Sequence, residues 1–317
     1  MNKNIKILII GFGSIGQRHY HNLKKLGYKN LWLYDLNKKI VKSYPNIVDK
    51  LTVNKLKEFD MIFICSPNNL HIKHALLAAK AGCHLFIEKP LSHNLKDIDQ
   101  LEKIIKSKKL INMVACNMRF HPCLQFIKKY LDKKKLGKIY SIHHEFGYYL
   151  PYWRLGTDYT KNYAAQRAMG GGIILDDIHE FDLLFWLNHF EKIIESKFIY
   201  GKLSNLKTDT EDSCIAAFKF KNKVLGSVKC DYLQKKESRA CKIIGENGNI
   251  MIDLLKNTVI LENENTCKKL FSLKRKNDDA DYIHQLKYFM NCLQRKQKTF
   301  NDTNIANQVL KYCVQKK

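Results

Sequence analysis

Along the first third of the chain, short apolar runs alternate with stretches of helical spacing. Ile5 to Ile10 reads as one buried strand, closing directly into Gly11-Phe12-Gly13-Ser14-Ile15-Gly16, after which Ile15, Leu23 and Leu26 continue at helical spacing. Leu31 to Tyr34, Phe59 to Cys65, Cys83 to Ile87 and Ile111 to Cys116 are further strands, with a weak one around Val48 to Val53. Helices are expected over His71 to Lys80 and from about Leu95 to Ser107. Runs that are apolar on both faces and alternate with helices predict a doubly wound parallel sheet. Ligands of such sheets sit outside the carboxyl ends of the strands. At those ends the chain puts Asp35, Ser66-Pro67-Asn68 with His71, Glu88-Lys89-Pro90, and Asn117 to Phe120.

After Pro122 the rhythm changes. A helix from about Leu124 to Lys134 precedes a long β-prone stretch, Ile139 to Tyr148, and an irregular aromatic segment, Tyr149 to Met169. Gly170-Gly171-Gly172 then opens a strongly apolar helix, Ile173 to Leu187. Strand-like runs follow in series from Ile193 to Glu262, punctuated by turns at Asn222, Gly245 to Gly248 and Lys256-Asn257, and two helices close the chain. The expected architecture is α/β. A parallel-sheet domain spans 1–120, and an α+β domain with an open, largely antiparallel sheet spans 121–317.

The glycine turn carries the first chemistry. Gly11 permits the tight turn, Gly13 lets backbone approach a pyrophosphate, and Gly16 lets helix pack on strand. The N–H groups of the helix start, at Ser14 and Ile15, face the phosphates. Asp35 ends the next strand, where a carboxylate accepts from both ribose hydroxyls and repels a 2′-phosphate. NAD is therefore the expected cofactor, with NADP the alternative because Lys38 and Lys39 follow. The competing reading is a structural turn in an unrelated protein, which strand, helix and acid together outweigh.

Composition changes the picture little. The 317 residues suffice for two domains, and the net charge of +25 is almost all lysine, with arginine at only seven positions. Lysine scattered over every helix face reads as a solvated surface rather than a nucleic-acid patch, leaving some attraction for an anionic substrate. No run is long enough for a membrane helix, and the start leaves no room for a signal peptide, so a cytoplasmic address is expected. The ten cysteines show no metal-ligand spacing and are expected to be reduced; no metal is expected.

Three constellations have catalytic or binding chemistry. Lys89, at a buried strand end, is suited to donate to a substrate oxygen, though a solvated Glu-Lys pair is the bland alternative. Asp176 and His179, spaced i, i+3, project from one helical face, where the carboxylate would fix the imidazole tautomer and His179 would act as general base. The alternative is a buried histidine satisfied by a carboxylate. Tyr149, Trp153 and Arg154, in the irregular segment, suit sugar stacking and hydroxyl contacts, with loop burial as the alternative.

Taken together, these pieces resemble the Gfo/Idh/MocA oxidoreductase family, and they run in its order. They are Gly11 to Gly16, Ser66-Pro67-Asn68 with His71, Glu88-Lys89-Pro90, Arg119-Phe120, and Gly170 through Asp182. The resemblance implies an N-terminal Rossmann domain, a C-terminal sheet domain used for oligomer contacts, and a cleft for cofactor and substrate. It puts Lys89, Asp176 and His179 at the family's catalytic positions. Ser66, Pro67, Asn68, His71, Glu88 and Asn117 would line the cofactor, and Arg119 would meet the substrate. Many members have D-x-G-x-H, whereas here Asp176-Asp177-Ile178-His179 shortens the spacing, so either acid is open as the partner of His179. The implied activity is NAD(P)-dependent hydride transfer at a secondary hydroxyl or keto carbon of a sugar, cyclitol or nucleotide sugar, in a homo-oligomer, dimer or tetramer. Redox-neutral chemistry with a retained cofactor, or a non-catalytic nucleotide sensor, is the alternative.

Overall fold

The structure, a computed structural model, describes residues 4–274 and 279–315. Contacts divide the chain into two compact units, one running through Asn117 and resuming over Asp279–Gln315, the other beginning at Met118.

The first unit is built as the apolar runs require. Strands β1 (Ile7–Ile10), β2 (Leu31–Tyr34), β3 (Met61–Ile64), β4 (His84–Ile87) and β5 (Asn112–Val114) form one sheet in the order β2-β1-β3-β4-β5. Every pairing in it is parallel. Between the strands come α1 (Ser14–Lys25), α2 (Lys38–Val41), α3 (Val53–Leu56), α4 (His71–Ala81) and α5 (Ile98–Ser107). The strand expected at Val48 to Val53 is reduced to one parallel bridge, Ile47 to Leu33. β1 and β3 are buried at every position, as strands covered on both faces must be. The strand order reverses between β1 and β3, the place where doubly wound sheets take their ligands.

The closing helices α9 (Ala280–Arg295) and α10 (Thr303–Gln315) correct the expected division. Expected in the second domain, they pack in the first, α9 on α1, and α10 on β5 and α5. The reason is the open edge of β5. Val114 N–H donates to the Asn301 carbonyl at 2.8 Å, Asn301 Nδ2 returns a bond to the Val114 carbonyl at 2.9 Å, and Thr299 Oγ1 donates to the Asn112 carbonyl at 2.7 Å. A late segment thereby satisfies backbone groups that an edge strand leaves unpaired.

The second unit starts with α6 (Pro122–Asp132) and the long β6 (Ile139–Tyr149). After a series of short 3₁₀ turns come α7 (Ile173–Asp176) and α8 (Ile178–Leu187). Then follow β7 (Ile193–Gly201), β8 (Ser213–Phe220), β9 (Leu225–Asp231), β10 (Leu233–Gly245), β11 (Gly248–Asp253), β12 (Thr258–Glu262) and β13 (Cys267–Ser272). They make an eight-stranded sheet in the order β13-β12-β11-β10-β6-β9-β8-β7, antiparallel except for β6 with β9. β8 alternates strictly between buried and exposed positions after Ser213, so one sheet face is packed and the other is open. All ten cysteines are free thiols, and among them only Cys267 is exposed. No helix of the described residues is long and apolar enough to cross a membrane.

The single apolar helix expected from Ile173 to Leu187 is broken. Asp177 sits at φ −107°, ψ 35°, outside helical geometry, and separates α7 from α8.

Candidate functional site

In the first unit, the glycine turn has the backbone that a dinucleotide needs. Gly11 has φ +91°, and a Cβ there would lie 2.6 Å from the backbone of Cys65 and Ser66, so the ends of β1 and β3 touch main chain to main chain. At Gly13 the opposite holds, with no heavy atom within 4 Å of a would-be Cβ. Gly13 is also the N-cap of α1 and supplies no side-chain cap, so the helix start, with exposed Ser14 and half-buried Ile15, presents its N–H groups outward. Asp35 closes the turn from the side. Its Oδ2 accepts the Phe12 N–H at 2.7 Å and its Oδ1 the Asn37 N–H at 2.8 Å. Open space above Gly13, an uncapped helix start and a carboxylate at the rim fit a dinucleotide.

The ends of β3 and β4 are tied to each other. His71, only 1% exposed, sets Nδ1 2.7 Å from the Pro90 carbonyl and Nε2 2.8 Å from the Ser66 carbonyl. Burial lowers its pKa, and the two carbonyls oppose that shift. Ser66 Oγ pairs with His74 Nδ1 at 2.9 Å, and burial pushes His74 down to about 4. Pro67 and the buried Asn68 make the turn into α4, and half-buried Asn117 opens the turn after β5. Glu88 is buried, with Oε1 2.6 Å from His19 Nε2 on α1 and Oε2 accepting the Lys89 N–H at 3.3 Å. Lys89 is half-buried, and the Lys89-Pro90 bond is cis.

His71 and Glu88, both expected at the cofactor, are buried and hydrogen-bonded to protein partners. A carboxylate or imidazole removed from water must be met by donors or acceptors inside.

In the second unit, the expected acid Asp176 lies in a nest of phenols. Tyr148 Oη donates to Oδ2 at 2.9 Å, Tyr232 Oη donates to the same oxygen at 3.2 Å, and Tyr163 Oη donates to Oδ1. Burial, then the nearby Asp176 charge, holds the Tyr148 and Tyr232 hydroxyls well above their usual pKa, so both remain donors. Tyr163 reaches this position because Gly171 lets the chain run close. A Cβ at Gly171 would sit 2.1 Å from the Tyr163 carbonyl. Tyr232, on the connection between β9 and β10, was not anticipated, and no local motif marks it.

The other acid, Asp177, faces elsewhere. Its Oδ1 accepts from Arg239 Nη2 at 2.8 Å, while Arg239 Nε donates to Glu180 Oε1 at 2.7 Å. The remaining Glu180 oxygen meets His144 Nδ1 at 3.0 Å. Burial pulls the His144 pKa down, but Cys241 and the Glu180 carboxylate outweigh it and raise the value to about 10. Burial would raise Glu180, yet Arg239 and His144 hold it low. His179, 8% exposed, stands in the first turn of α8, whose orientation this network of buried charges fixes. The structure thus gives the two candidate acids different surroundings, phenols for Asp176 and a guanidinium for Asp177.

Arg119, expected at the substrate, is fully buried, and its guanidinium makes a two-pronged pair with Asp182 on α8, Nε to Oδ2 at 2.7 Å and Nη2 to Oδ1 at 2.6 Å. An acid buried on this helix needs such a cation, and Arg119 supplies it. The aromatic segment is more accessible. Trp153 is 46% exposed and packs tilted against Tyr148 with ring centroids 4.3 Å apart, Tyr149 lies under the Lys235 ammonium, and Arg154 is exposed. Among the described residues, no group of three or more His, Cys, Asp or Glu is arranged to hold a metal ion.

Comparison with known proteins bears on both units. A family profile described as "Oxidoreductase family, NAD-binding Rossmann fold" matches residues 5–116, and one described as "GFO/IDH/MocA C-terminal domain" matches 124–251. The chain belongs to the Gfo/Idh/MocA oxidoreductase family. This family member is 27% identical to the myo-inositol 2-dehydrogenase of Thermotoga maritima over 90% of its own length and 87% of the relative's. Its fold is similar to that of a levoglucosan dehydrogenase solved with NADH, at TM-score 0.83 and 18% identity, covering 98% of this chain and 95% of that one. It is also similar to a UDP-N-acetylglucosamine 3-dehydrogenase from Acidithiobacillus ferrooxidans, at TM-score 0.78 and 21% identity, covering 99% and 96%. As a Gfo/Idh/MocA protein the chain is an NAD-binding oxidoreductase, and its parallel sheet with the glycine turn is the Rossmann unit.

Proposed function

We propose that the protein is an NAD-dependent dehydrogenase acting on a secondary hydroxyl of a sugar, cyclitol or nucleotide sugar, or on the corresponding ketone in reverse. The observation that carries this reading is the strand end at Glu88-Lys89-Pro90. It puts an ammonium two strands from the glycine turn, in the sheet that matches the NAD-binding family. Inositol and levoglucosan dehydrogenases among the similar proteins support the substrate class.

Gly11, Gly13, Ser14, Ile15 and Gly16 would hold the pyrophosphate on the start of α1, and Asp35 the adenosine ribose. Ser66, Pro67, Asn68 and Asn117 would border the nicotinamide end. When bound, the dinucleotide supplies the acceptor for the hydride that leaves the substrate carbon. A ring nitrogen of His179 takes the hydroxyl proton, while the Lys89 ammonium donates to the same oxygen and stabilises its developing charge. The net change is loss of one hydride from carbon and one proton from oxygen, leaving a carbonyl. Asp176, which accepts from three phenols, would favour the imidazolium that forms. Tyr149, Trp153 and Arg154 would hold the rest of the substrate.

We further propose that the open sheet face meets a second copy of the chain. Ile199, Ile215 and Leu225 share that face in the strand register and are 77%, 52% and 54% exposed. A cytoplasmic address suits the free thiols.

A panel of sugars, inositols, sugar acids and UDP-sugars, scored by NADH absorbance, tests the activity. Stoichiometric NADH with one class is the expected result. Product formed with substoichiometric NAD and no NADH would replace it with redox-neutral chemistry.

A further inference from the structure

We propose that His71 is a positioning residue that sets where the Lys89 ammonium stands, by tying the turn after β3 to the residue that follows Lys89. The inference rests on the dehydrogenase reading only for the role given to Lys89.

The geometry is that of a bracket. Both partners of the ring are backbone carbonyls, Ser66 at 2.8 Å and Pro90 at 2.7 Å, and carbonyls only accept. Each tie therefore needs an N–H from the ring, and the neutral ring that burial favours supplies one N–H, to the Ser66 or the Pro90 carbonyl according to its tautomer. Lys89 is held on its other flank as well, because Glu88 is pinned to His19 at 2.6 Å and accepts the Lys89 N–H. The root of a flexible four-carbon side chain is thus fixed from before and after. Rigid placement at the root is what a mobile ammonium needs to meet one oxygen reproducibly.

The Ser66 end is anchored in turn. His74, one turn further along α4, meets Ser66 Oγ at 2.9 Å, so two histidines of one helix grip one residue of the turn after β3. That turn lies against the glycine loop through Gly11, and the bracket therefore couples the dinucleotide turn to the Lys89 turn within a single unit.

A neutral imidazole has one N–H and an imidazolium two, so both ties are complete only in the protonated ring. The charged and titratable groups facing it are Glu88 and Lys89 from the end of β4 and His74 on its own helix. A glutamine amide, by contrast, presents two N–H groups whatever the pH.

The test uses two variants of the full chain. His71→Phe keeps ring volume without a donor, and His71→Gln offers an amide's two N–H groups without the ring. In dinucleotide-free protein, the rate at which acetic anhydride acylates Lys89 is followed by peptide mass, with exposed Lys161 as the internal reference. Turnover and NAD affinity are measured on the same preparations. The Phe variant should change the Lys89 rate relative to Lys161 and lower kcat by about 10- to 100-fold, the scale of a misplaced catalytic group, with NAD affinity unchanged. The Gln variant should recover most of both. Weakened NAD affinity with kcat intact would make His71 a cofactor contact and overturn the proposal, as would an unchanged Lys89 rate. Should the Phe variant not fold, the Gln variant decides: retained kcat and Lys89 rate support the bracket, and their loss in a folded protein contradicts it. Equal turnover by wild type and Lys89→Ala would sink the dehydrogenase reading instead, leaving the acylation arm to judge His71 alone.

Discussion

Asp35 Oδ2 accepts the Phe12 N–H at 2.7 Å, so the acid at the end of β2 both shapes the glycine turn and stands at its rim. The same carboxylate that orders the loop is the one expected to select the ribose. Replacing it separates the two functions by chemistry. Asp35→Asn keeps an oxygen for Phe12 and loses the charge. A charged hydrogen-bond partner is worth about 1.5–3 kcal/mol, or roughly 10- to 100-fold in affinity. The expected outcome is weaker NAD and a raised NADP-to-NAD ratio of kcat/KM. An unchanged ratio would show that Asp35 serves the loop alone.

Arg119 and Asp182 form a buried pair whose halves depend on each other. Arg119→Leu leaves an uncompensated buried carboxylate, and the expected loss is about 3–5 kcal/mol in urea unfolding. The double variant Arg119→Met, Asp182→Leu removes both charges and should recover a large part. If the single variant is as stable as wild type, the pair is not structural, and a substrate role for Arg119 returns.

The phenol nest makes a graded set of variants. Tyr163→Phe and Tyr232→Phe each remove one donor from Asp176. Tyr232 is fully buried, so its loss should appear mainly as destabilisation of about 1–3 kcal/mol. Tyr163 is half-buried and belongs to the accessible segment, so its loss should appear mainly in kcat/KM. Chemical denaturation and steady-state kinetics on both variants separate the two effects.

His144 gives a pH dependence with a definite sign. Its pKa is raised from 6.5 to about 10 in the folded protein, so the stabilisation it contributes is complete below about pH 6.5. It is lost as pH climbs through about 10. The difference in unfolding free energy between wild type and His144→Gln should shrink over that interval. A constant difference would mean that His144 carries no extra proton in the native state.

Much of this was legible in the residues themselves. The strand-turn-helix around Gly11, the parallel order of the first sheet and the serial strands after Ile193 follow from runs of apolar residues bounded by turns. The break at Asp177 was not, because an i, i+3 pair looks the same in one helix or across two. The edge of β5 draws in Asn301 from a distant stretch, which no local pattern reveals. The Arg119 pairing had a signal in the sequence. Glu180 and Asp182 lie in an apolar helix, and buried acids demand cations from a chain with only seven arginines. The two carbonyl partners of His71 belong to backbone that sequence alone does not fold.

The central claim is that the Lys89 ammonium and the His179 imidazole act on one substrate carbon. Single-turnover hydride transfer, measured beside NAD affinity for Lys89→Ala, His179→Asn and the double variant, tests it most directly. Each single variant is expected to lose about 10²–10⁴-fold in the transfer rate with NAD affinity retained, and the double variant little more than the worse single. Transfer at the wild-type rate in either single variant would contradict it.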